Sequence, residues 1–233
     1  MKSLNEDLQT GQFKQIYLLC GEEAYLKKQY RDKFIRAMLP EGDTMNLSRF
    51  EGKGTNLQEV MDVADTLPFF ADRRLIIMEN TGVFKNAAPE LAEKIKNLPD
   101  TTYFIFLDEE VDKRGKMYKA VRDKGRIVEL NRQDENTLVR WIGAQAEKEQ
   151  KKMTRSAALY LISKVGNDLE NLSRELEKLF CYCMHHTEVT VADIDEICTT
   201  QISNHIFERQ QHSYQQLLKP NLMYLDKYVC RQG

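Results

Sequence analysis

Gln15-Ile16-Tyr17-Leu18-Leu19-Cys20-Gly21-Glu22-Glu23-Ala24-Tyr25-Leu26-Lys27-Lys28 is the stretch on which the fold turns. Gln15 to Cys20 is a short apolar run that reads as a buried strand, and Gly21 closes it. Glu22 to Leu39 then reads as a helix, because Tyr25, Leu26, Tyr30, Phe34 and Met38 recur at three- and four-residue steps. Pro40 and Gly42 stop that helix.

The same alternation continues outward from this unit. Asn46 to Phe50 alternates like a strand, and Thr55 is placed to cap a helix through Asp65. Arg74 to Met78 is a third strand, Pro89 to Leu98 a helix, and Thr101 to Leu107 a fourth, very apolar strand. Lys116 to Lys124 is a short helix and Arg126 to Leu130 a fifth strand. Strands that alternate with helices imply right-handed crossovers and a parallel sheet covered on both faces. Near-continuous apolar strands agree with two-sided burial. The predicted class is α/β, a doubly wound, mostly parallel sheet over residues 1–132. After Asn131 the strand signals stop. Helices are predicted over Glu135 to Lys151, Thr154 to Val165, Asp168 to Met184 and Val191 to Cys198, the last capped by Thr190 with Asp193 three residues on. Residues 133–208 therefore read as a small helical bundle domain.

Composition supports a helix-rich globular chain. Of 233 residues, 42% are hydrophobic and 30% charged, with only 11 Gly and 5 Pro. The formal net charge is -2, which excludes a bulk polyanion binder, so any DNA contact comes from a local patch or through a partner. No apolar run is long enough to span a bilayer, the first ten residues lack an apolar signal-peptide centre, and five Cys form no disulfide-like spacing. A cytoplasmic, reduced protein away from membranes is expected.

Four features bear on chemistry. A phosphate loop needs several glycines whose N–H groups wrap the phosphates, followed by Lys and Ser/Thr. Here the turn holds one glycine and two carboxylates, Glu22 and Glu23, so no nucleotide cofactor is expected. The strand end Asp108-Glu109 is a weak counter-signal, and an active nucleotide-dependent ATPase with those acids at its metal site is the alternative. Cys181, Cys183, His185 and His186 lie close in sequence, but C-x-C-x-H-H matches no usual zinc spacing; they read as helix positions, with no metal expected. Lys113, Arg114, Lys116, Lys119, Arg122 and Lys124 form a basic cluster that leaves a DNA-binding module as a further alternative.

The fourth feature is Thr66-Leu67-Pro68-Phe69-Phe70-Ala71-Asp72-Arg73-Arg74, a helix-to-strand connection that is unexpectedly apolar. Either Leu67 and one ring tuck under the sheet edge, or Pro68 stiffens a stem on which Phe69 and Phe70 enter a partner's pocket. Paired aromatic anchors of that kind are worth about 2 kcal/mol or more each on truncation.

Together, Ile16 to Leu26, Leu67 to Leu75, Val111 to Lys119 and Asp168 to Leu179 resemble segments of the delta subunit of the bacterial DNA polymerase III clamp loader, in matching order. The resemblance covers residues 1 to about 208. It implies an AAA+ type ATPase-like fold without a phosphate loop, and a non-catalytic subunit that binds the sliding clamp and helps open it for loading on primed DNA. It implies other clamp-loader subunits as partners, with DNA reached mainly through the complex. The clamp-binding positions it assigns are Phe69 and Phe70, with Leu67 and Pro68 shaping the loop; Arg73 and Arg74 either add rim charge or snorkel from the strand start. Family members continue into a collar domain. Residues 209–233, with net charge +3 against -5 for the rest, do not resemble it, and the third domain is expected to be missing.

Overall fold

A computed structural model of the protein describes residues 1–86 and 88–199. The expected features of residues 200–233 lie outside the described residues. The chain packs as two units, Met1–Arg132 and a second beginning at Gln133.

The first unit contains α1 (Lys2–Thr10), β1 (Ile16–Cys20), α2 (Ala24–Met38), β2 (Leu47–Glu51), α3 (Leu57–Asp65), β3 (Arg74–Glu79), α4 (Pro89–Lys96), β4 (Thr102–Asp108), α5 (Lys116–Lys124) and β5 (Arg126–Glu129). The five strands form one sheet in the order β2-β3-β4-β1-β5, every neighbouring pair parallel. This is the doubly wound class predicted above. Alternate residues serve opposite layers. Ile16, Leu18, Ile76, Met78, Phe104 and Phe106 join a core with Val60 and Ala64 of α3, Leu91 and Ile95 of α4, and Met117 and Val121 of α5. On the other face Tyr17 packs on Phe34 of α2, ring centroids 4.5 Å apart. The Tyr17 hydroxyl donates to the buried Asp7 carboxylate of α1 at 2.7 Å.

Helix α1 is an addition to the sequence reading, and two details are corrected. The cap of α3 is Asn56, whose side chain accepts from Gln58 N; the Thr55 hydroxyl instead donates to Gly52 O. Strands also recur after Asn131, because Lys152–Met153 pairs in parallel with Glu188–Val189.

The second unit contains α6 (Glu135–Lys148), β6 (Lys152–Met153), α7 (Arg155–Val165), α8 (Leu169–Tyr182), a 3-10 turn (Cys183–His185), β7 (Glu188–Val189) and α9 (Val191–Ile197). Its core is built from helix stripes: Leu138, Ile142 and Ala146 of α6, Leu161 and Val165 of α7, and Leu172, Leu176 and Leu179 of α8 are all buried. Asp134, Thr154, Asp168 and Thr190 cap its helices, the last in a reciprocal box with Asp193.

Candidate functional site

The order β2-β3-β4-β1-β5 places the carboxyl ends of β1 and β4 side by side, where an open α/β sheet would receive a nucleotide. Backbone contacts fill this turn. Gly21 N donates to Glu109 O at 3.1 Å, Glu23 N to Leu130 O at 2.9 Å, and Ala24 N to Glu22 O at 2.9 Å. Those N–H groups face carbonyls rather than an anion cradle. Gly21 has φ +108, and a Cβ there would lie 2.6 Å from Leu130 O and 2.7 Å from Asn131 Oδ1. Its glycine character is thus explained by the close approach of the chain following β5.

Lys27 and Asp108 are buried beneath this turn. The Lys27 ammonium donates to Asp108 O at 3.2 Å, and burial lowers its pKa. Burial also raises the Asp108 carboxyl to about 6, against the pull of Lys27 and a Gly82 backbone hydrogen bond. Asp108 Oδ2 has no hydrogen-bond partner. Glu109, its neighbour in the alternative metal site, is exposed.

The connection between α3 and β3 presents the opposite character. Phe70 is 96% exposed, Leu67 74% and Phe69 56%, so neither ring tucks under the sheet edge. The two rings meet edge to face with centroids 4.7 Å apart. Phe70 has φ 48, a left-handed conformation that costs a non-glycine residue about 1–2 kcal/mol and persists only where surroundings hold it.

Two polar side chains hold it. Asn46, 1% exposed, accepts from Phe69 N through Oδ1 at 2.6 Å and donates from Nδ2 to Phe69 O at 2.9 Å. Asp43 fixes the Asn46 amide, accepting from Nδ2 at 2.8 Å and from Asn46 N at 3.0 Å. Arg74, 7% exposed, donates from Nε to Thr66 O at 3.0 Å and from Nη2 to Leu67 O at 3.1 Å. Arg74 is therefore a buried brace rather than rim charge. The half-buried Arg73 guanidinium lies 5.3 Å from the Phe13 ring centre and 5.8 Å from that of Tyr103. Pro68 is half-buried in the stem. The supports Asn46 and Arg74 were not legible in sequence, since their partners are main-chain groups.

The basic cluster is partly neutralised. Lys113 pairs with Glu129, Arg114 with Asp112 at 3.3 Å, and Arg122 with Asp123 at 2.9 Å. In the helical unit, the 3-10 turn brings Cys183 and His186 together with Asp193, while Cys181 lies exposed outside that group.

A parallel sheet in this strand order, with its phosphate-loop turn closed by carbonyls and a helical unit following, defines an AAA+ type ATPase-like fold. The family described as DNA polymerase III, delta subunit, matches residues 17–131. That match falls within the α/β unit, where the sequence resemblance was drawn. The DNA polymerase III subunit delta of Bacillus subtilis is 27% identical over 216 residues, covering 87% of this chain. The chain spans 62% of that relative's length. Among solved structures, the Bacillus subtilis DNA clamp loader delta protein matches with TM-score 0.67 at 22% identity, over 100% of this chain and 72% of that one. The Thermotoga maritima RuvB Holliday junction branch migration motor matches with TM-score 0.51 at 14% identity, over 84% of this chain and 65% of that one.

Proposed function

We propose that this protein is a non-catalytic clamp-loader subunit that grips the sliding clamp through Phe69 and Phe70. The observation that carries the reading is an exposed aromatic pair on a connection braced from within the fold. A soluble protein gains nothing by exposing two adjacent rings and holding one at positive φ, unless an apolar pocket elsewhere receives them. Preorganisation matters here, because a loop already held in its binding shape loses less entropy on docking. Leu67 widens the apolar tip, Pro68 stiffens its approach, and Arg73, stacked on Phe13 and Tyr103, forms the base.

Opening of a ring follows from differential binding. The aromatic tip favours an open-competent clamp interface only by as much as it binds that state better. Energy for the loading cycle comes from ATPase subunits of a loader, and DNA is reached through that assembly. Within this scheme, residues 1–132 are the clamp-gripping ATPase-like domain and residues 133–208 the small helical domain. Its place of action is the cytoplasm, where the chromosome is replicated; among the described residues no helix is long and apolar enough to cross a membrane.

The test is calorimetry of the full chain with its cognate sliding clamp. Phe69→Ala with Phe70→Ala should abolish binding and leave Tm nearly unchanged. Wild-type affinity in the double variant would overturn the reading. Saturable micromolar binding of Mg-ATP would favour the nucleotide-dependent alternative instead.

A further inference from the structure

Cys183, His186 and Asp193 belong to the helical unit, and the clamp-gripping role does not use them. The 3-10 turn that ends α8 carries Cys183, His186 follows it, and Asp193 is the third residue of α9. Their ligand atoms all lie within 4.8 Å of one another, and His186 Nε2 stands 3.7 Å from Asp193 Oδ1. We propose that these three side chains form a divalent-metal site of the zinc class.

The donor set is the first argument. One thiolate, one imidazole and one carboxylate suit zinc, and three protein ligands leave a fourth position for water. Zinc–ligand distances of about 2.0–2.3 Å place tetrahedral donors about 3.3–3.8 Å apart. The observed spacing therefore needs closure of about 1.5 Å at most. His186, 48% exposed in its side chain, can supply part of this by turning about its own bonds.

The surroundings are the second argument. Asp193 Oδ2 accepts from Thr190 N and from the Thr190 hydroxyl, both at 2.7 Å, which fixes the carboxylate and leaves Oδ1 towards His186. Hydrogen-bonded ligating carboxylates of this kind are the usual support of a metal centre. Lys151 Nζ donates to Cys183 O at 2.5 Å and His186 O at 2.7 Å, holding both ends of the turn. Its charge opposes a cation nearby, but its ammonium is directed at those carbonyls. Cys183 is fully buried, so its sulfur is shielded from water and oxidants.

Metal entry forms an Sγ–metal bond and releases the thiol proton to solvent; imidazole binds neutral and the carboxylate already ionised. One proton per ion is therefore expected.

The experiment is titration of the reduced full chain with Co(II), then Zn(II). The expected result is one ion per chain, one proton released, and a near-ultraviolet thiolate-to-cobalt band. Cys183→Ser should remove the band, Cys181→Ser should leave it, and His186→Ala should weaken binding at least about tenfold. Should Cys183→Ser fail to fold, the Zn(II)-induced rise in Tm decides: present in wild type, absent in His186→Ala. No saturable binding at micromolar Co(II), or a band that follows Cys181, would overturn the proposal.

Discussion

Asn46 and Phe69 exchange a pair of hydrogen bonds across 23 residues of sequence, the Asn46 side-chain amide meeting the Phe69 main chain as a neighbouring strand would. Oδ1 takes the Phe69 N–H and Nδ2 gives to the Phe69 carbonyl. A buried asparagine thus fixes the backbone of one ring while leaving both rings exposed. The fold and the surface of the aromatic connection are coupled through this one side chain.

Asn46→Ala removes both bonds and strands the Phe69 N–H and carbonyl. Losing these two half-buried hydrogen bonds costs about 1–3 kcal/mol, read as a lower urea midpoint. Clamp affinity should fall as well, by about tenfold, because the tip then pays an ordering cost on docking. Unchanged stability in this variant would show that the pair contributes nothing.

Phe70 separates binding from stability in the opposite sense. At φ 48 the ring is held in a conformation suited to glycine. Phe70→Gly should therefore be more stable than Phe70→Ala by about 1 kcal/mol, although both lack the ring. Both should lose clamp binding. The measurement is paired urea denaturation and calorimetry; an alanine variant more stable than the glycine variant would refute the backbone argument.

Gly21→Ala tests why a glycine ends β1. The added methyl meets Leu130 O and Asn131 Oδ1 at 2.6 and 2.7 Å, and neither backbone nor φ +108 can yield cheaply. A loss of at least about 2 kcal/mol is expected, by thermal or chemical denaturation. A neutral substitution would mean that this turn has the slack of a ligand-binding loop.

The α/β unit was legible because buried parallel strands are apolar along their whole length, as in Leu75 to Met78 and Phe104 to Leu107. The aromatic connection was legible for the converse reason: Leu67, Phe69 and Phe70 stand where polar residues belong. Helix α1 was not, since its anchors act at long range: Asp7 binds Tyr17 and lies 3.1 Å from Arg126 Nε. The β6 and β7 pair, two residues each, is too short for any periodicity. The meeting of Cys183 and His186 with Asp193 depends on how α9 returns to the end of α8, which spacing within one helix cannot register.

Asp108 gives the last prediction, with a defined pH dependence. Its carboxyl is raised from 3.8 to about 6, first by burial, so the folded state holds the proton more tightly than the unfolded chain. Between pH 4 and about 6 the folded form binds more protons, and stability from this group falls as pH rises through that window. Above about 6 the folded protein carries a desolvated charge whose Oδ2 lacks a hydrogen bond. Asp108→Asn removes the charge and keeps an acceptor for the Gly82 N–H. Stability at pH 7.5 should rise by about 1–3 kcal/mol, the upper value being two pKa units converted at 1.36 kcal/mol each. The gain should shrink towards zero below pH 4, where the native carboxyl is already protonated in both states. Urea titrations of both proteins at the two pH values decide it. A gain that persists unchanged in acid would assign the effect to packing, and a loss at neutral pH would mean that the attraction between Asp108 and Lys27 outweighs the cost of burying the carboxylate.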